Sequence, residues 1–309
     1  MTCLGGTWDL QTPKCELKNS SSEVQSVNGF TVKKDTFPWH VEIFQWDEIT
    51  NTTQQICGGS IIRANIVISA AHCFFDQDRL EQIDARYYKV AAGKFLRSWN
   101  NDLPENVNFV QKSDVTAIHL PRRYGGDEQN QQSDLALLHL ATPFRLENSV
   151  RAVSYELYDA SFDAIQTQPG SLGKVVGWGR KDNGEPSWAL KTLELPVIGI
   201  GECHKEMSKY HFSRYLTTDK LCAGHLNGRA LCRGDGGGGL VFPAEDKEGN
   251  IHWYLRGVVS KRPLNDAKTS CQSNTYTTFT HIFKTRDWLN WIIGNIPQPV
   301  AARPYFRLW

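Results

Sequence analysis

The chain has 309 residues, 40% hydrophobic and 22% charged, a globular composition long enough for one large or two ordinary domains. Its net charge of +1 gives no electrostatic reason to expect nucleic acid or an anionic membrane surface as a partner. No stretch is long and apolar enough to predict a membrane-spanning helix, so membrane insertion is not expected.

Residues 1–25 differ in character from the rest of the chain. Cys3-Leu4-Gly5-Gly6-Thr7-Trp8, followed by Pro13-Lys14-Cys15, resembles the end of a complement-control (sushi) module. Lys18 to Val24 is polar and Ser-rich, as linkers are. The N-terminus shows no basic start before an apolar run, hence no signal peptide. Yet the 8 cysteines are spread widely without a CxxC pair or a Cys/His cluster at zinc spacing, which points to disulfides and an oxidising compartment. Asn19-Ser20-Ser21 and Asn51-Thr52-Thr53 are acceptor patterns for N-glycosylation and agree with secretion. The two observations are reconciled if this is the C-terminal part of a longer secreted, extracellular protein.

From about residue 26 to 294 the pattern is short strands between turn signals. Ser60-Ile61-Ile62, Ile66 to Ser69, Leu135 to Leu140, Lys174 to Trp178 and Tyr254 to Ser260 are β-rich runs. Many short strands predict a barrel or a sandwich. Phe283 to Ile293 reads as a closing helix, with Trp288, Trp291 and Ile292 on one face. The last fifteen residues, 295–309, carry Pro297, Pro299 and Pro304 and read as an irregular tail.

Three segments in one order carry the chemistry. They are Ala70-Ala71-His72-Cys73, then Asp134-Leu135-Ala136-Leu137-Leu138, then Cys232-Arg233-Gly234-Asp235-Gly236-Gly237-Gly238. Together with Pro38-Trp39, Cys57-Gly58-Gly59-Ser60 and Gly177-Trp178-Gly179 they resemble the chymotrypsin-like (S1) serine proteases. The resemblance covers about 270 residues and implies an all-β fold of two antiparallel six-stranded barrels with a C-terminal helix. In active members an aspartate orients a histidine, the histidine takes the proton of a serine, and two backbone N–H groups hold the oxyanion. His72 and Asp134 match the base and its orienter. The serine position is Gly236, which has no side chain, while Gly234 and Gly236 match the oxyanion donors. The implied protein is therefore a pseudo-protease.

Other positions depart from the family as well. The floor of the specificity pocket, six before the serine, is Ala230, and the wall positions read Ser260-Lys261-Arg262 and Thr277. Side chains replace both wall glycines, so the pocket is expected to be narrowed or filled. Lys261 and Arg262 read as two positive charges beside the substrate-strand edge, either a solvated basic pair on a loop or a pair that meets an acidic segment of a partner. The activation site reads Gln25, then Ser26-Val27-Asn28-Gly29, without the basic residue or the apolar first residue of the family. Asp235, beside the missing serine, then lacks the amine that pairs with it in activated members. Implied disulfides are Cys57–Cys73, Cys203–Cys222 and Cys232–Cys271, leaving Cys3 and Cys15. Val90 to Gly93 is followed by Lys94 where a calcium loop would carry Glu, so no metal and no cofactor is expected. Taken with the sushi-like tail, this resembles the modular serine proteases of arthropod haemolymph and their non-catalytic homologues. The expected role is an adaptor or cofactor for other secreted proteases or zymogens in an innate immune cascade. Two alternatives remain: an S1 endopeptidase whose serine was lost by replacement or sequence error, and a peptide- or glycan-binding module.

Overall fold

The computed structural model describes residues 36–100, 109–179, 187–263 and 274–297, residues 185 and 272, and the backbone of three short strands near the N-terminus. Two of those, β1 (Gly6–Trp8) and β2 (Cys15–Leu17), pair as an antiparallel hairpin. The third, β3 (Phe30–Thr31), joins a later sheet. The Ser26 and Asn19 positions lie outside the described residues.

The first barrel is closed and antiparallel. It uses β4 (His40–Asp47), β5 (Thr52–Arg63) and β6 (Ile66–Ser69). After a small hairpin of β7 (Phe75–Asp76) and β8 (Glu81–Gln82) come β9 (Tyr88–Ala92), β10 (Gln111–His119) and β11 (Ala136–Leu140). The order around the barrel is β10-β11-β6-β5-β4-β9. Alternation of side chains along a strand explains the interior: Val41 and Ile43 of β4 are fully buried, and Ile61, Val67, Leu137 and Val90 meet them from the other strands.

The second barrel uses β12 (Leu172–Gly177), β13 (Lys191–Pro196), β14 (Lys220–Ala223), β15 (Gly239–Glu245), β16 (Ile251–Lys261) and β17 (Thr277–His281). They run in the order β14-β17-β16-β15-β12-β13, with β3 added on β13, and a Val197–Ala223 bridge links the two ends. Val175, Leu195, Leu240, Phe242, Val259 and Phe279 fill it. Short helices α1 (Ala160–Gln166) and α2 (Ile200–Ser208) lie between strands, and α3 (Arg286–Asn295) closes the described chain. Two six-stranded antiparallel barrels followed by a C-terminal helix are the architecture that the resemblance implies.

On α3 the face differs from the expected one. Leu289, Ile292 and Ile293 are buried, whereas Trp291 is 63% exposed. The stripe 289, 292, 293 and 296 has the same three-and-four spacing as 288, 291 and 292, so spacing alone does not choose between them.

Candidate active-site cleft

His72 follows β6 on a single 3-10 turn, Ala71–Phe74, and is tied to β5 through the Cys57–Cys73 disulfide. Asp134 lies two residues before β11 at the end of an unusual backbone stretch. Asn130, Gln131 and Ser133 all have positive φ, a region costly for non-glycine residues. The second barrel holds that stretch in place: Lys220 Nζ donates to the Gln131 carbonyl at 2.7 Å, Asp219 accepts from the Ser133 N–H at 2.9 Å, and Thr280 Oγ1 donates to the Asp134 carbonyl at 2.8 Å.

These anchors bring Asp134 against His72. One carboxylate oxygen accepts the His72 backbone N–H at 2.9 Å; the other is 2.9 Å from His72 Nδ1 and accepts the Ser260 hydroxyl at 2.5 Å. Asp134 is fully buried. Burial alone would raise its carboxyl, but the His72 charge and hydrogen bond, Lys220 and the Ser260 hydroxyl outweigh it and hold the pKa at about 2. Fixing Nδ1 on the carboxylate leaves Nε2 for the cleft.

What Nε2 meets is Gly236. A Cβ built on Gly236 would lie 2.6 Å from His72 Nε2, closer than real carbon–nitrogen contacts permit, so the imidazole fills part of the room a side chain would take. Gly236 sits in the loop before β15, with its carbonyl accepting from the Gly58 N–H at 2.8 Å. Gly234 has φ +96°, and its carbonyl accepts Gln55 Nε2 at 3.0 Å. Gln55 also donates to the Cys57 carbonyl at 3.1 Å and accepts from Arg97 Nε at 2.9 Å. Nothing in the sequence singles out Gln55: a bulge in β5 sets it across from Phe44 and Cys57 across from Ile43, on opposite faces of the ladder, so simple alternation gives no signal for its reach to Gly234.

Asp235 is buried. Its two oxygens accept the Gly179 N–H and the Cys232 N–H, each at 2.8 Å. A Cβ on Gly179 would fall 2.0 Å from that carboxylate, so only glycine lets the chain pass. Burial pushes the Asp235 carboxyl up to about 6, against the two backbone hydrogen bonds and the charges of Arg262 and Arg97, which pull it down.

The cleft of about 620 Å³ is lined by His72, Gly234, Gly236, Ser260, Lys261 and Arg262 among others. Two expectations are corrected here. Arg262 is not a rim charge: it is 9% exposed, and its guanidinium Nη1 donates to the Leu231 carbonyl. Lys261 is not a free charge either: Nζ lies 2.6 Å from Asp127 Oδ1 and 5.2 Å from the centre of the Tyr215 ring. A cation that can reach an anion, a carbonyl or an aromatic face is better placed there than on an open strand edge. Ala230 and Thr277 are buried outside the cleft lining, because Arg262 comes down on the carbonyl next to Ala230.

The sulfurs of Cys57 and Cys73 are joined, as are those of Cys203 and Cys222. Cys232 is also disulfide-bonded. Cys271 and Cys3 lie outside the described residues, as does the Cys15 side chain. Cys57, His72 and Cys73 bring three ligand-type atoms within 4.8 Å, but both sulfurs are committed to the disulfide and cannot act as thiolates. No helix among the described residues is long and apolar enough to cross a membrane.

Two antiparallel barrels with a histidine–aspartate pair and a glycine-rich loop at their junction define the serine protease scaffold of the chymotrypsin type. Residues 26–289 match the trypsin family, and the chain belongs to it. Clotting factor C of Tachypleus tridentatus is 29% identical over 282 residues, 91% of this chain and 26% of that protein. The modular serine protease of Drosophila melanogaster is 29% identical over 301 residues, covering 94% of this chain and 44% of its own length. Melanization protease 1 of the same fly is 28% identical over 279 residues, with 87% and 65% covered. This chain thus spans only part of each relative.

Proposed function

We propose that this protein is a non-catalytic member of the trypsin family, secreted, and an adaptor or cofactor for other proteases or zymogens in an extracellular immune cascade. The observation that carries the first part is Gly236 opposite His72 Nε2: the base is oriented, and there is no hydroxyl for it to deprotonate. Without a nucleophile no acyl-enzyme forms, and turnover falls by about 10⁶-fold in a comparable mechanism. The buried Arg262 supports the same reading, since a protein side chain already occupies the wall of the substrate pocket. The cascade setting is supported by relatives named for clotting and melanization.

A serine-directed fluorophosphonate, applied to protein from its natural source, tests the catalytic part. No label and no peptide or ester hydrolysis is expected; a label on residue 236 overturns it. Adding the purified chain to a candidate partner zymogen tests the adaptor part. A faster or tighter activation is expected, and an unchanged rate with every cascade protease counts against it.

A further inference from the structure

On the face opposite the barrel interior, β4 and β5 carry a row of aromatic and amide groups whose far end, at Gln55 and Arg97, borders the cleft. Their register sets Phe44 across from Gln55 and Trp46 across from Thr53, so Phe44 and Trp46 share one face. Trp99 packs edge-on against Phe44 with ring centroids 4.9 Å apart. An open groove of about 870 Å³ is lined by Phe44, Asn51, Trp99 and Trp188, the last 61% exposed, while Trp46 lines the adjoining, more charged hollow, with Thr52 and Gln54 shared by the two. The loops that carry these rings are fixed to one another: the Arg97 N–H donates to the Trp188 carbonyl at 3.0 Å, and Leu96 bridges Ala189. Otherwise the lining is mostly amide and hydroxyl side chains. Its one charged residue among the described residues, Arg97, is held by Gln55.

Asn51 lies at one end of this groove, in the tight turn between β4 and β5. It begins the Asn51-Thr52-Thr53 acceptor pattern. It is exposed and has φ +50°, which an asparagine in a turn tolerates. Its side chain is also oriented: Trp46 Nε1 lies 3.3 Å from Asn51 Oδ1. An indole N–H can only donate, so the atom it meets is the carbonyl oxygen, and the amide nitrogen is the atom left for modification. A sugar bonded to that nitrogen begins beside the Trp46 ring.

We propose that Asn51 carries an N-linked glycan whose first N-acetylglucosamine packs on Trp46, with the following sugars running into the groove toward Trp188. A sugar suits this lining because its C–H faces pack on aromatic rings while its hydroxyls meet amides and threonines. An extended protein segment would be expected to find charged partners or a free strand edge, and the groove offers neither among the described residues. In the reaction the Asn51 amide nitrogen forms a bond to C1 of the sugar, loses one proton, and displaces the pyrophosphate of a lipid-linked oligosaccharide. The consequence is that the groove side of the first barrel is covered by carbohydrate, and a protein partner must dock elsewhere.

The test uses the full chain, exported through the secretory pathway of cells restricted to high-mannose glycans. Peptide mass should show a glycan on Asn51, lost in Asn51→Gln and Thr53→Ala and kept in Thr53→Ser. Trimming to one N-acetylglucosamine should lose the part of the stabilisation that the outer sugars supply in the groove, and Asn51→Gln should lower Tm further, by about 2 °C or more in all; an unchanged Tm on trimming overturns the groove path. In a Trp46→Leu background, enzymatic removal of the first N-acetylglucosamine should change nothing further. An unmodified Asn51 overturns the site. An equal loss of Tm with and without Trp46 overturns the sugar–indole contact. Occupancy is read by mass, so it is decided even where a variant is destabilised.

Discussion

A side chain placed at position 236 meets the His72 imidazole. The 2.6 Å between a Gly236 Cβ and His72 Nε2 means the ring must shift by several tenths of an ångström. The ring is one-quarter exposed and can move, but Nδ1 is held by Asp134. Gly236→Ser alone is therefore expected to give little peptidase activity, and none directed at Arg or Lys, since Ala230 supplies no negative charge. Adding Arg262→Gly should raise kcat/KM on substrates with apolar side chains by about tenfold or more, because even a methylene-sized misfit in such a pocket costs that much. Efficient cleavage after Arg by the single variant would show that the pocket assignment is wrong. Asp235 gives a second residue-scale expectation, this time in stability. Its carboxyl sits at about 6 in the fold, above the ordinary carboxylate value of 3.8. The native state then binds more protons than the unfolded one between pH 4 and 6, and stability falls as pH rises through that window. The span corresponds to about 3 kcal/mol at most. Asp235→Asn should flatten this part of the profile, measured by urea unfolding at pH 4.5 and 7; a profile as steep as the parent's would rule the assignment out.

Between elements, α3 separates two side chains that look equivalent along the chain. Ile292 is buried against the first core and Trp291 points to solvent. Ile292→Ala should cost about 2–4 kcal/mol through the cavity it leaves, and Trp291→Ala about 0.5 kcal/mol or less. Equal losses in chemical denaturation would restore the face that spacing suggested. The β-rich runs were readable because strands buried on the inner face declare themselves by Val, Ile and Leu, and β6 and β11 fall within a residue of their sequence limits. The order of the His, Asp and glycine-loop motifs was also readable, because order is a property of sequence. What the sequence did not carry was direction. Lys261 and Arg262 are adjacent at the end of β16, so alternation sends them opposite ways, one to Asp127 and one down to the Leu231 carbonyl. The roles of Gln55 and of Gly179, the latter named only as part of a motif, are not legible along the chain for a related reason: each acts on a partner more than fifty residues distant, and only the fold creates that proximity.

Across the whole molecule, the glycine-rich loop is held by the chain itself. In activated relatives of this fold a newly cut amine completes the loop by pairing with the aspartate beside the nucleophile. Here the Asp235 carboxylate takes the Gly179 and Cys232 N–H groups, with Arg262 and Arg97 lowering its cost of ionisation. The matching bond, Gln25–Ser26, has no basic residue before it, so trypsin-like enzymes have no side chain to grip there. Nearby cuts, for example after Lys18, would leave an amine several residues from the position that matters. Proteolytic activation should accordingly do nothing to the barrels. Limited trypsin treatment followed by N-terminal sequencing should yield no product beginning at Ser26. The digested protein should keep its Tm, because an added ion pair to a buried carboxylate would be worth more than about 1 kcal/mol and would raise Tm by about 2–4 °C for a domain of this size. A Ser26 terminus accompanied by such a rise would mean that the loop still waits for an amine, and that the protein is a zymogen in its control even though it lacks the serine.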